Sequence, residues 1–148
     1  MEEKAYYDLD ITQFLPHREP MLMADRIVKI TPEQSETSFF INKDNIFVEN
    51  ENFVEAGLIE NIAQTCSSIF GQNFFDRDTF ESKNIIGFIT SIKKISVLSL
   101  PKVGDTIISK AELISVFGNI CSMKCHTFLG DTLLSEAEIN LFIKESEP

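Results

Sequence analysis

One long helical segment stands in a chain that is otherwise almost entirely strand-like, and this limits the available folds more than any other feature. Between about residues 53 and 70, apolar side chains recur at helical spacing, namely Ile59, Ile62, Ala63, Cys66, Ile69 and Phe70. Asn52 and Glu55 have the spacing of a capping box, and Gly71 is a typical helix stop. Because a lone helix that is apolar over much of its surface has to be covered, we predict an α+β fold with an antiparallel sheet wrapped around the helix.

Strands are predicted on both sides of this helix. Residues 10–15 are predicted to form a short helical turn capped by Asp10, followed by strands at 22–30 and 35–42. After the helix, an antiparallel meander is predicted, with strands at 84–98, 106–117, 120–129 and 132–144. Two-residue turns led by Gly118 and Gly130 separate the last three strands. No repeat or linker interrupts the pattern, so residues 1–148 are predicted to form one domain.

The acidic composition excludes some classes of partner. The net charge is -10, whereas a nucleic-acid-binding surface needs a basic footprint, so no nucleic-acid partner is expected. No apolar run is long enough to span a bilayer, and the acidic start lacks a signal-peptide pattern, so we expect a cytoplasmic protein. Cys66, Cys121 and Cys125 are then expected to be reduced thiols. A metal site is not expected, because His126 would point to the opposite strand face from Cys121 and Cys125.

Three stretches of the chain resemble the bacterial 3-hydroxyacyl-carrier-protein dehydratases. Residues 14–26, FLPHREPMLMADR, contain every fixed residue of that family's L-P-H-R-x-P-x-L-x-x-D-R opening. Residues 57–64, GLIENIAQ, match the E-x-x-A-Q signature of its central helix, and residues 135–139, SEAEI, follow its closing strand. The resemblance covers about residues 11–143 and implies a hot-dog fold, in which an antiparallel sheet wraps one central helix.

The chain departs from this family at one segment. Where the family has G-H-F-P-x-x-P-x-x-P-G, residues 45–55 read NIFVENENFVE. Phe47 is retained, but Ile46 stands where the family has its catalytic histidine, and the prolines and glycines are replaced.

The resemblance implies roles for individual residues. Glu60 occupies the position of the helix carboxylate that acts as the acid, and Gln64, one turn later, is placed to orient it. Ile46, Phe47, Gly57 and Leu58 fall where the family binds substrate, with backbone N–H groups at the helix N-terminus holding the thioester oxygen. Lys93, Lys94 and Lys102 fall where the family presents basic residues to the acidic acyl carrier protein, although they could also be ordinary solvated lysines. His17 is assigned a structural role. No cofactor or metal is implied.

Several functions remain open at this point. The resemblance implies a (3R)-hydroxyacyl-carrier-protein dehydratase of fatty acid or related lipid or polyene biosynthesis, working as a homodimer or heterodimer. Since Ile46 has no transferable proton, activity could require a histidine-bearing partner subunit. The alternatives are a hot-dog thioesterase that uses Glu60, and a non-catalytic subunit that binds the acyl carrier.

Overall fold

The computed structural model describes residues 6–75 and 84–146, and its elements match the predicted α+β pattern. The first half contains β1 (Tyr6–Asp10), a 3-10 helix (Ile11–Gln13), β2 (Arg26–Ile30), β3 (Gln34–Phe40), β4 (Val48–Glu49), β5 (Asn52–Phe53) and the helix α1 (Glu55–Phe75). The second half contains β6 (Asn84–Val97), β7 (Thr106–Phe117), β8 (Ile120–Leu129) and β9 (Thr132–Ser146). The short helical turn is confirmed, and the Asp10 side chain accepts a hydrogen bond from the N–H of Thr12.

Seven strands form one antiparallel sheet in the order β1-β2-β3-β7-β8-β9-β6. The β7-β8-β9 meander is confirmed, with Gly118 and Gly130 at positive φ in its turns. The prediction that β6 begins this meander is wrong, because β6 pairs with β9 at the sheet edge while β7 pairs with β3. The loop after β6 is not a hairpin turn. It is held on β5, where Phe53 N–H donates to Pro101 O at 2.8 Å.

The helix is buried along most of its length, as predicted, but its buried surface is only partly apolar. Ile62, Cys66 and Ile69 pack against β7, β8 and β9. Leu58 is also buried, and the remaining buried side chains of the helix are polar: Asn61, Gln64, Thr65, Ser67 and Ser68. Three of them pair with strand residues: Thr65 contacts Thr37 and Ser68 contacts Ser35, both at 2.7 Å, and Asn61 accepts from Ser109 at 2.6 Å. Burying these three side chains therefore costs little, because they are paired.

Both predicted ends of the helix are wrong. Asn52 lies in β5, and its side chain donates to Asn50 O instead of capping the helix, which begins at Glu55. The helix also continues through Gly71 to Phe75. A Cβ on Gly71 would lie 2.1 Å from the carbonyl oxygen of Phe14, so this glycine permits close packing of the helix on the N-terminal segment. None of the helices within 6–75 and 84–146 is long and apolar enough to cross a bilayer.

The outer face of the sheet carries charges of alternating sign. Glu112, Lys124, Glu138 and Lys94 are cross-strand neighbours on β7, β8, β9 and β6. Lys124 Nζ lies 3.6 Å from Glu138 Oε1, and His126 Nε2 lies 3.3 Å from Glu136 Oε1. Opposite charges on neighbouring strands attract, so these pairs support the sheet even though the chain as a whole is acidic.

Candidate functional site

Glu60 and Gln64 lie together on one face of α1, one turn apart. Gln64 Nε2 donates to Glu60 Oε1 at 3.0 Å and also to Met21 O at 2.8 Å. Gln64 Oε1 in turn accepts from Met23 N–H at 2.7 Å. Gln64 is buried, whereas 28% of the Glu60 side chain is exposed. The amide thus orients a carboxylate that a ligand can still reach, which is the arrangement predicted for this pair.

His17, for which the sequence predicts a structural role, lies beside Glu60. Its Nε2 lies 4.0 Å from Glu60 Oε1, although 43 residues separate the two in the chain, and its side chain is 25% exposed. Burial lowers the pKa of His17, the negative charge of Glu60 raises it, and Arg18 lowers it further. His17 is the histidine of the L-P-H-R motif, which marks it as a candidate. Sequence spacing alone, however, does not show that the loop carrying this motif crosses the helix at Glu60.

Buried amides hold this loop against the helix. Asn61 Nδ2 donates to Met23 O at 2.7 Å, and Asn61 Oδ1 accepts from Ser109 Oγ at 2.6 Å. Arg18 folds back and donates to Leu15 O and His17 O at 2.8 and 2.7 Å. Asn61 is a second functional residue that sequence reasoning missed, because a polar helix residue is ordinarily expected at the surface.

The predicted substrate-binding residues meet at the start of α1. Val54 N–H donates to Phe47 O at 3.0 Å, and a Cβ on Gly57 would lie 2.8 Å from Phe47 Cβ. Leu58 is fully buried in the core beside Phe47. The N–H groups of Gly57 and Leu58 both donate to Val54 O, at 3.0 and 3.2 Å. In this structure those two amides are therefore not free to hold a thioester oxygen.

Ile46 is half-exposed at the mouth of a cavity of about 240 Å³. The cavity is lined by Pro20, Leu22, Phe39 and Ile46 together with polar residues, among them Glu19, Asp25, Asn45 and Asp44. Desolvation raises the pKa of Asp25, the hydrogen bond from Phe40 N–H lowers it, and Glu19 raises it. The position at which the sequence resemblance predicts the family's histidine thus holds an apolar side chain in a cavity that several carboxylates also line.

The three predicted docking lysines lie in two places. Lys93 and Lys94 are on β6, where Lys93 Nζ reaches Ser122 Oγ at 3.4 Å and Lys94 pairs across the sheet with Glu138. Lys102 lies in the loop after β6 and forms an isolated bridge with Asn52. Only Lys102 is therefore near the loop that carries Ile46 and Phe47.

The cysteines are free and buried: Cys66, Cys121 and Cys125. A contact with Cys125, together with burial, raises the pKa of Cys66 well above its usual range. In the part of the chain that the structure describes, no three His, Cys, Asp or Glu side chains are grouped so that they could hold a metal ion.

An antiparallel sheet around one long helix, with a carboxylate and an amide one turn apart on that helix, defines a hot-dog protein of the dehydratase class. The chain belongs to the ApeP-like family, whose model, described as ApeP dehydratase, matches residues 9–147. The sequence motifs, the family match and the fold therefore agree on the class of protein.

Known proteins support this assignment. The chain is 30% identical to the 3-hydroxyacyl-[acyl-carrier-protein] dehydratase FabZ of Anaplasma marginale (strain Florida), over 87% of this chain and 90% of that protein. It is 27% identical to the FabZ of Helicobacter hepaticus, over 93% and 89%. Among solved structures, the dehydratase heterocomplex ApeI:P from Xenorhabdus doucetiae superposes with a TM-score of 0.81 at 15% identity, covering 95% of this chain and 91% of that one. That likeness confirms the hot-dog fold.

Proposed function

We propose that this chain is one subunit of a mixed hot-dog dimer that dehydrates 3-hydroxyacyl thioesters bound to an acyl carrier protein. In this proposal Glu60 is the acid, Gln64 orients it, and a histidine-bearing sister subunit supplies the base. The observation that carries the proposal is the asymmetry of the chain: the carboxylate is present and oriented, while the histidine position holds Ile46.

The reaction needs two proton transfers. A base removes the proton from the carbon next to the thioester carbonyl, and an acid protonates the 3-hydroxyl, which leaves as water while the carbon–carbon double bond forms. Glu60 suits the second step, because its carboxyl is fixed by Gln64 and is partly open to a ligand. Ile46 has no transferable proton, so losing the base should cost this chain alone about 10²–10⁴ in rate.

The free edge of the sheet suits pairing with a second hot-dog chain. β6 is the last strand in the sheet order, so within residues 6–75 and 84–146 no strand pairs with the outer side of its backbone. Phe88, Ile89 and Ile92 on this strand are exposed apolar residues. A partner strand would satisfy the edge and continue the sheet. The ApeI:P complex is itself a dehydratase heterocomplex, which is the arrangement proposed here.

The acyl carrier would approach near Lys102. This lysine is exposed and lies beside the loop carrying Ile46, whereas Lys94 faces Glu138 across the sheet. In a chain of net charge -10, an exposed lysine near the site gives an acidic carrier a local point of attraction. Lys93 and Lys94 remain predicted docking residues of lesser weight.

Glu60→Gln in the mixed dimer tests the proposal. The chain is co-expressed with histidine-bearing hot-dog sisters, the heterodimer is purified, and dehydration of a 3-hydroxyacyl carrier substrate is followed. Glu60→Gln keeps the side-chain volume but removes the acid, so we expect a loss of about 10²–10⁴ in kcat with folding unchanged. Glu55→Gln, which changes an exposed carboxylate on the same helix, is the matched control and should keep full activity.

The rival functions predict other results. Hydrolysis of acyl thioesters by the purified chain alone, lost in Glu60→Gln, would favour the thioesterase. Tight binding of the acyl carrier with neither activity would favour a scaffold. A heterodimer that keeps its rate with Glu60→Gln would show that Glu60 is not the acid.

A further inference from the structure

His17 faces the proposed acid without taking part in the chemistry described above. Its Nε2 points to Glu60 Oε1 at 4.0 Å, and its Nδ1 is buried with no hydrogen-bond partner in the described part of the chain. A buried polar atom left unpaired is unusual in a folded protein and calls for an explanation. The imidazole therefore has one nitrogen in a dry environment and the other towards a carboxylate.

The position of His17 is imposed by the fold. The segment before it is packed on the helix where Gly71 meets Phe14 O, and the segment after it is held by Gln64 through Met21 O and Met23 N–H. The Arg18 guanidinium donates a hydrogen bond to His17 O at 2.7 Å and so restrains the backbone at His17. Because both sides of the loop are attached to α1, His17 has little freedom to move away from Glu60.

The surroundings select the charge and tautomer of His17. Burial is the strongest influence on its pKa and lowers it, so the neutral imidazole is favoured near neutral pH. A neutral imidazole carries one N–H. An N–H buried without an acceptor is rarer than an unpaired acceptor, so the hydrogen belongs on Nε2, opposite the Glu60 carboxyl.

We propose that His17 is a positioning residue for Glu60, which rests on the proposed function of Glu60 as the acid. In this arrangement the Nε2–H of His17 and the Nε2–H of Gln64 both approach Oε1 of Glu60. Oε1 is thereby anchored on two sides, and Oε2 is left to protonate the substrate hydroxyl. The distance of 4.0 Å is longer than a hydrogen bond, and such contacts commonly shorten when substrate binds.

The pair should respond to pH. The charged groups that face His17 are Glu60 from the helix and Arg18 from its own loop. When His17 gains a proton, a cation replaces the neutral donor that faces Oε1, and the arrangement that positions Glu60 is altered. Activity should therefore change as pH decreases through the lowered pKa of His17.

A direct test uses the NMR signals of the histidine side chains. The full chain is produced without a histidine tag, so that only its own histidines are observed. The chain contains two histidines, so His126→Gln leaves His17 as the one imidazole to observe. We expect the neutral form to carry its hydrogen on Nε2. Glu60→Gln should shift the titration of His17 to lower pH, because the carboxylate is the group that raises the pKa of His17. An Nδ1–H tautomer, or a titration unchanged by Glu60→Gln, would overturn the proposed pair whether or not the chain is a dehydratase.

The catalytic part is tested in the mixed dimer with two variants at one position. His17→Phe keeps a ring but removes the donor, and we expect kcat to fall about 10- to 100-fold, with KM changed little. His17→Gln restores an N–H near the same place, so it should recover most of kcat and remove the change in activity expected of the wild type at low pH. If the wild type and His17→Phe have equal rates and pH profiles while Glu60→Gln is inactive, the positioning role is refuted and the proposed function stands. Full activity of Glu60→Gln would instead refute the proposed function itself.

Discussion

Replacing Gln64 by leucine should destabilise the chain and release Glu60. The side chain is buried and makes three hydrogen bonds, with Met23 N–H, Met21 O and Glu60 Oε1. Leucine has a similar volume, so the effect comes from lost polar contacts. Leaving the N–H of the fully buried Met23 unpaired should cost about 1–3 kcal/mol, and the other two bonds about 0.5–1.5 kcal/mol each. The expected loss is thus about 2–6 kcal/mol.

The assay is equilibrium unfolding in urea, with the free energy of unfolding extrapolated linearly to water. Measurements at several protein concentrations separate unfolding from dissociation of any dimer. Gln13→Leu, at an exposed position of the 3-10 helix, is the control and should change stability by less than about 0.5 kcal/mol. If Gln64→Leu is as mild as this control, the three hydrogen bonds do not attach the loop to the helix, and the reasoning about Glu60 and His17 loses its basis.

Two further predictions concern the packing and the cavity beside the site. Gly71→Ala should destabilise by at least about 1–3 kcal/mol, because its Cβ would meet backbone at 2.1 Å. Gly57→Ala should also destabilise, because its Cβ would meet the buried ring of Phe53 at 2.6 Å and Phe47 Cβ at 2.8 Å. Thermal unfolding measures both, and a gain in stability for Gly71→Ala would show that the contact with Phe14 is not tight. The pKa of Asp25 is raised in the folded chain, so its contribution to stability is present at low pH and lost as pH rises through that pKa. Asp25→Asn should therefore gain stability relative to the wild type across this window, and a difference independent of pH would contradict the shift.

The strands after the helix were predictable because local signals decide them. Gly118 and Gly130 adopt the positive φ values that two-residue turns require, and β7 and β8 end where the sequence pattern places their ends. Which strand pairs with which was less predictable. The pairing of β6 with β9 depends on contacts between segments about 50 residues apart, which no local pattern records.

In the candidate site, too, the local arrangement was predictable and the contacts between distant segments were not. Glu60 and Gln64 are one helical turn apart, so helical spacing alone brings them together. His17 reaches Glu60 through the tertiary fold, and Gly71 is a packing residue whose local signal resembles a helix stop. Asn61, Thr65 and Ser68 are polar residues whose burial becomes affordable only once the facing strands supply partners.

The free edge formed by β6 also bears on how such a chain survives in a cell. An unpaired edge strand with exposed apolar side chains is a template on which other extended segments can add, and so a starting point for aggregation. Two irregularities in its pairing with β9, around Thr90 and Lys93, and the charges of Lys93 and Lys94 lessen this hazard without removing it. In the proposed mixed dimer, copies synthesised in excess of the partner subunit would remain exposed to misassembly and proteolysis for longer than paired ones. Balanced production of the two subunits would then matter for the yield of usable protein as much as the stability of either chain.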